Sequence, residues 1–293
     1  MRTTLIPDTQ DIREPAPRRL VASPLAWLVW GAVGFFLLAL LGVVASVVVN
    51  SLGNRWFDTW LPSGWTTQWY REAWAAFDLF SVIVTTLEVA LAVVVLSVVV
   101  GVPTAYVLAR RTFPGKRLIF LLFLLPIMMP PITYGIPLAT VLYKIGLAGN
   151  LSGVILANLV PCVPFVVLTM TPFIEQIDPA IENAARMSGA GTFSVFTRIL
   201  APLLLPGILA SAILVLVRTV GMFELTFLTA GPTSTTLVVA LFNSMNAAGI
   251  RAQQSVDAMA VVYMLVMLVL LVTALRFVNP TQLVSQVKEE PPE

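Results

Sequence analysis

Histidine is absent from the 293-residue sequence, and cysteine occurs once, at Cys162 inside an apolar run. The first absence excludes imidazole metal sites and histidine-based acid–base catalysis. The second excludes an intramolecular disulfide. Charge is also scarce: 11% of residues are Asp, Glu, Lys or Arg, against 58% hydrophobic, and the mean hydropathy is +0.92. A soluble domain needs more chargeable surface than this, so the composition is that of an integral membrane protein. A net charge of +2 gives no support to nucleic-acid binding. No G-x-x-x-x-G-K-[ST] phosphate loop occurs, so the chain cannot be an ATP-hydrolysing subunit.

What is present is apolar sequence in long runs. Pro24–Val49, Leu79–Ala109, Leu118–Leu142, Leu151–Pro172, Leu203–Leu228 and Ala258–Val278 each approach or exceed the ~20 residues that cross a bilayer as helix. They predict an all-α membrane protein of six transmembrane helices at 24–278, with a polar segment at 1–23 and a tail at 279–293. The first run is about twice the length of a signal-peptide core, so it is expected to be retained as a span. An even number of spans puts both termini on one side. Twelve Lys and Arg residues then fall on the side of the termini, including Arg2, Arg13, Arg18, Arg19 and Lys288. Only Arg55, Arg71, Lys144 and Arg251 fall on the other. The positive-inside rule therefore predicts N-in, C-in. All seven tryptophans lie between Trp27 and Trp74, five of them (Trp56, Trp60, Trp65, Trp69 and Trp74) in the first outer loop. They are expected to form an aromatic belt along the outer surface, or a docking face for an external partner.

Within the spans a few places break the apolar pattern. LLPIMMPPITYGIP carries Pro126, Pro130, Pro131 and Pro137, together with Thr133 and Tyr134. Each proline removes an amide donor and restricts its predecessor. Two outcomes stay open: broken backbone lining a pathway, or a helix that ends near Pro126 and becomes an outer loop. A milder break is expected at Pro161 and Pro164. Glu88, Arg218 and Glu224 would each cost about 3 kcal/mol facing lipid at mid-depth, so they should face the bundle interior, pair between spans, or sit near an interface. On an ideal helix Arg218 and Glu224 point about 120° apart, unless Gly221 bends the chain. Glu88, Thr133, Tyr134, Arg218 and Glu224 are the candidate pathway residues.

Between the fourth and fifth runs lies IENAARMSGAG, Ile181 to Gly191, polar and rich in small residues. Ile181, Ala184, Ala185 and Ser188 share one helical face, a strip too thin to anchor a core. Asp178 suits an N-cap and Pro179 the first helical position. Ile181–Ser188 continue the helix, and Gly189 and Gly191 suit its end and a tight, close-packed turn. A second short turn, Thr192 to Ile199, presents Phe193, Phe196 and Ile199, and Pro202 and Pro206 open the fifth span. Glu182 and Arg186 form an i, i+4 pair, expected on the solvent side. The product is a helix–turn–helix elbow with nothing catalytic in it.

This region resembles the permease subunits of binding-protein-dependent ABC importers, the six-span type I family. Their hallmark is a loop of the form E-A-A, three residues, glycine, about nine residues, then I-x-L-P. Here stand Asn183-Ala184-Ala185, Gly189, and then Ile199, Leu200, Ala201 and Pro202. GVPTAYVLARRTFPGKR and LLPIMMPP are similar to the family as well. The sequence departs at two points: Asn183 replaces the family's leading glutamate, with Glu182 before it, and Ser188 replaces the usual aspartate. Glu182 could substitute at that contact, or Asn183 could hydrogen-bond instead. The resemblance implies a coupling loop at 173–201 that docks on a cytoplasmic ATPase through Glu182, Asn183, Ala184, Ala185, Arg186, Ser188 and Gly189. It also implies a second permease chain, an external solute-binding protein and an inner-membrane location. ATP would be used by the partner, with no cofactor held by this chain. FELTFLTAGPTSTTLVVALFNSM looks more like the branch handling polyamines and ferric iron than the sugar branch, which stays open. The competing classes are a stand-alone secondary transporter, an intramembrane enzyme and a scaffold. Against them stand the lack of an internal repeat, the lack of paired catalytic groups, and the elbow itself.

Overall fold

A computed structural model of the chain describes residues 24–56, 61–246 and 252–276. The leader with Arg2, Arg13, Arg18 and Arg19, Trp60, Arg251, Val278 and the tail with Lys288 lie outside the described residues. Among those described every regular element is helical, and the only strand-like pairing is an isolated bridge between Gly53 and Trp65. Four helices are long and apolar enough to cross a membrane: α1 (Pro24–Leu52), α3 (Leu79–Arg110), α6 (Leu151–Glu175) and α13 (Gln253–Arg276). Two bent helix pairs bring the number to six. The six expected spans are thus present, two of them bent. The stretch up to Ser46, most of α1, forms one compact unit, apolar around its whole circumference. The chain from Val47 onward forms the other.

The core of the second unit is the pairing of α3 with α6. Gly101 makes it possible, because a Cβ there would lie 2.7 Å from Val166 Cγ1. Val93, Val102, Ala105, Cys162, Val167, Met170 and Ile174 fill the seam and are buried. In a membrane such small-residue approaches matter more than apolarity, since lipid tails are as greasy as the side chains. Pro161 and Pro164 do not break α6, contrary to expectation: the helix is continuous to Glu175, also through Pro172. Both prolines are buried; packed neighbours allow a spanning helix to keep its course through a proline.

The third span is broken. α4 (Lys116–Met128) passes through Pro126, and α5 (Pro131–Lys144) leaves it at an angle of 100°. The expected end near Pro126 is therefore displaced to Met129–Pro130, and a helix rather than a loop follows. One interior proline costs a single hydrogen bond, whereas the Pro130–Pro131 pair stops a helix and pre-sets the next, with Pro131 in its first turn.

The fifth span also differs from its expected extent of Leu203–Leu228. The helical stretch Thr192–Leu203 meets α10 (Leu205–Val220) at 74°. α10 then stops at Val220, and Gly221–Phe223 are not helical. Glu224 opens the short helix α11 (Glu224–Thr229). The C-cap is Gly221, in an ordinary right-handed conformation (φ −85°); the apolar run through Met222 and Phe223 conceals that end in the sequence. α10 packs on α3 and α6, and α11 on α5 and α6.

Two further helices complete the fold, α2 (Gln68–Phe77) in the tryptophan-rich loop and α12 (Leu237–Asn246). α2 packs on α13 around Ala73, Leu79, Leu237 and Met259. Two tryptophans of this loop are pinned by their indole N–H groups, Trp69 to Gly53 O (2.7 Å) and Trp56 to Asn50 Oδ1 (2.8 Å). The amide of Asn50 donates in turn to Asp257 of α13. Trp65 and Trp74 remain exposed.

Candidate functional site

The elbow forms as its sequence dictates. α7 (Pro179–Met187) starts on Asp178, whose Oδ1 accepts the Ala180 N–H at 2.8 Å. It ends on Gly189 at φ +86°, where Ala190 N–H returns to Ala185 O at 3.1 Å. α8 (Thr192–Val195), a π-helical turn (Phe196–Leu200) and α9 (Ala201–Leu203) lead back to the bundle. Val195 and Leu200 are fully buried and root this return in the α3–α6 core.

Glu182 is not on the solvent side. Its side chain is 3% exposed, and four contacts converge on it and its partners. Oε1 accepts from Arg110 Nε at 2.7 Å; Oε2 accepts from the Tyr106 hydroxyl at 2.7 Å and from an Arg186 guanidinium nitrogen at 3.2 Å. The same Arg186 nitrogen lies 3.2 Å from the Tyr106 oxygen. The i, i+4 pair with Arg186 is present, as expected, but turned inward. The reason is the cation at the end of α3: a carboxylate with a guanidinium and a phenol within reach gains more there than in water. Glu182 is therefore taken up inside the chain and is not free to replace the family's leading glutamate at a partner.

The rest of the expected docking set divides by exposure. Asn183, Ala184, Arg186, Ser188 and Gly189 are exposed, and Ala185 is half-buried against the core. A Cβ at Gly189 would meet nothing within 4 Å, so that turn is not close-packed by this chain and glycine is needed for its backbone angle alone. Two outward apolar side chains flank this surface: Phe193 at 81% exposure, presented by the second turn as expected, and Met187 at 90%, which the sequence did not single out. Tyr106 and Arg110 were missed as well. Their signal was available, four positions apart at the end of a span and hence on one helical face.

Deeper in the bundle, α6 turns Asn158, Cys162 and Phe165 toward the broken fifth span. Asn158 Nδ2 donates to Thr226 Oγ1 at 3.2 Å, and Cys162 Sγ lies 3.7 Å from Thr219 Oγ1. The Arg218 guanidinium carbon stands 5.9 Å from the centre of the Phe165 ring, within cation–π range. Arg218 Nε and the Tyr134 hydroxyl are buried, with no hydrogen-bond partner among the described residues. Tyr134 of α5 packs with Met222 and Leu225, which bracket Glu224 where α11 packs on α5. The structure thus groups Tyr134, Arg218 and Glu224, although no carboxylate among the described residues is within ion-pair distance of Arg218. Glu88 and Thr133 are exposed, and no hydrogen bond or ion pair among the described residues links their side chains to this group.

Comparison with known proteins decides the family. Residues 97–282 match the binding-protein-dependent transport system inner membrane component family. The chain belongs to it. The resemblance noted in the elbow is borne out, and with it the place of this multi-pass protein in the inner membrane. The match takes in the elbow with its anchor and the Tyr134–Arg218–Glu224 group; Glu88 precedes it. A trehalose transport system permease, SugB of Mycobacterium tuberculosis, is 35% identical over 158 residues, or 54% of this chain and 57% of that protein. This chain thus spans little more than half the length of that relative. The molybdenum transport system permease ModB of Haemophilus influenzae is 32% identical over 184 residues, covering 57% of this chain and 80% of the relative. In three dimensions the chain is similar to a chain of a bacterial ABC transporter involved in alginate import, with TM-score 0.71 and 19% identity over 89% of this chain and 98% of the other. That likeness shows a shared fold.

Proposed function

We propose that the chain is the non-catalytic permease subunit of an ABC importer: it lines the path of a polar solute and couples to a cytoplasmic ATPase through α7. The carrying observation is the elbow, a short helix anchored from behind by a buried ion pair while Ile181, Asn183, Ala184 and Met187 remain uncovered in front. An apolar and small-residue face outside the bilayer needs a partner. The excess of Lys and Arg on that side makes it cytoplasmic, where ATP is available to a partner subunit. A second permease chain and an external solute-binding protein complete the assembly, as the family's description as binding-protein-dependent supports. The Tyr134–Arg218–Glu224 group supplies polar groups at a helix break, where irregular backbone in a membrane is tolerated along a route.

The solute class is a finer matter. Likeness of Phe223–Met245 to the polyamine and ferric-iron branch supports a solute of that type, with sugar as the alternative. The relatives above are named for trehalose and molybdenum. Binding of a panel of polyamines, ferric chelates, disaccharides and oxyanions to the external solute-binding protein decides among them.

Labelling tests the coupling role. With Met187→Cys in the full chain, a membrane-impermeant maleimide is expected to react only from the cytoplasmic side, and co-expressed ATPase subunit should shield the site. Cys162 is fully buried and gives little background. Reaction only from outside the cell would end the proposal. Gly189→Asp is a second test. Its side chain enters open space at a left-handed angle, costing about 1 kcal/mol, so the chain is expected to insert and fold. Capture of the ATPase is nevertheless expected to be lost, because the added charge projects into the docking face. Normal capture would remove Gly189 from that face.

A further inference from the structure

We propose that Glu182 is the joint through which the elbow moves the spanning helix α3, a positioning residue that acts through Tyr106 and Arg110. The proposal rests on the docking of α7 proposed above and adds where the force goes next. Helix α7 itself has few other ties: Ile181, Asn183, Ala184 and Met187 are exposed, and only Ala185 and the following Ala190 pack partly against the core, while Val195 and Leu200 root the return segment there separately. At its two ends stand the Asp178 cap and the left-handed Gly189.

Against this weak packing the carboxylate makes three directional, charge-assisted hydrogen bonds, to Arg110, Tyr106 and Arg186. Arg110 spends its remaining reach on Ile177 O at 2.6 Å, the residue just before the elbow. Tyr106 meets the ring of Phe196 edge-on at 5.5 Å, just after it. One carboxylate therefore ties the helix, the segment before it and the turn after it to a single turn of α3. Apolar contacts of the same area allow sliding, whereas a buried carboxylate held by three donors has one favourable position. At 3% exposure water cannot take over the bonds while the elbow shifts, so a displaced α7 carries the end of α3 with it.

Two measurements on the full chain in nanodiscs test this. The first uses a nitroxide at Met187→Cys. Glu182→Gln keeps the side-chain shape and removes the charge, and should shorten the label's correlation time at least about twofold, as for a segment released from its anchor. A label at Leu265, exposed on α13, should be unaffected. Tyr106→Phe, nearly isosteric and neutral, runs in parallel so that a folding failure of Glu182→Gln leaves the test intact; it should give a smaller change of the same sign. The second places the label at Leu91, exposed on α3, in the complex with its ATPase, with and without ATP and vanadate. In the unsubstituted chain trapping should change the Leu91 spectrum. In Glu182→Gln the ATPase should still co-purify, but the change should vanish. An unaltered Met187 label in both variants, or a persisting Leu91 response in Glu182→Gln, overturns the proposal. Failure of the unsubstituted chain to capture the ATPase overturns the docking reading and the transmission drawn from it. The Met187 measurement would still decide whether the anchor exists.

Discussion

Gly231→Ala is expected to destabilise the chain by about 3 kcal/mol, the upper end for overpacking, and to lower the yield of folded protein. A Cβ at this position would lie 2.2 Å from Gly149 O and 2.8 Å from its carbonyl carbon. Both obstacles are backbone, so no side chain can rotate out of the way. The two loops are also bonded together, Gly149 N–H to Thr229 O at 2.9 Å. The turn at Gly231 is closed by Ser234, which is fully buried and accepts the Gly231 N–H at 2.8 Å. Separating the loops to admit a methyl group would pull α11 away from α5 and α6, and with it the surroundings of Tyr134. Gly149→Ala is the control: its own Cβ meets nothing within 4 Å, and only its φ of +80° opposes the change. That substitution should cost about 1–2 kcal/mol. Thermal unfolding of the two purified variants in detergent compares them directly; equal losses would show that the contact with Gly149 relaxes.

Removal of Arg110 should be as damaging. In Arg110→Ala the buried Glu182 carboxylate would keep Tyr106 and the 40%-exposed Arg186 but lose its closest cation. Breaking such a pair from one side costs about 3–5 kcal/mol, because a desolvated charge is left behind. In Glu182→Ala the guanidinium still has Ile177 O and can reach water, so the loss should be smaller. The double replacement should fall short of the sum by at least about 1 kcal/mol, since the two groups share one interaction. Denaturant unfolding of the four chains gives the coupling; strict additivity would mean that the ion pair contributes nothing to the fold.

The elbow was legible because its signals are local. Asp178 and Pro179 start a helix by their own chemistry, Gly189 ends it, and no distant residue alters either. The direction in which Glu182 points was not legible. The i, i+4 rule pairs it with Arg186 correctly but is silent on which side of the helix is covered, and Arg110 lies 72 positions away. Spans were readable as apolar runs, and their breaks only where proline marked them. Pro130–Pro131 turns the chain, while Pro161 and Pro164 leave α6 continuous, a difference set by neighbours. At Gly221 hydropathy continues across the end of α10, so Glu224 was placed within a span instead of at the start of α11. The grouping of Tyr134, Arg218 and Glu224 depends on that break and on the α5–α11 contact, which no local pattern encodes.

The corner between α4 and α5 has a consequence for how the bundle can deform. Across Met129 to Thr133, two residues are imino acids with no amide hydrogen, and two more donate, Met129 to Leu125 O and Thr133 to Pro130 O, both at 3.0 Å. A right-angled turn built this way exposes few naked donors to hydrocarbon, so it needs little water to exist. The same two rings hold their φ angles near −65°. The turn therefore has less torsional freedom than an ordinary loop, which restricts how far α5 can tilt independently of α4.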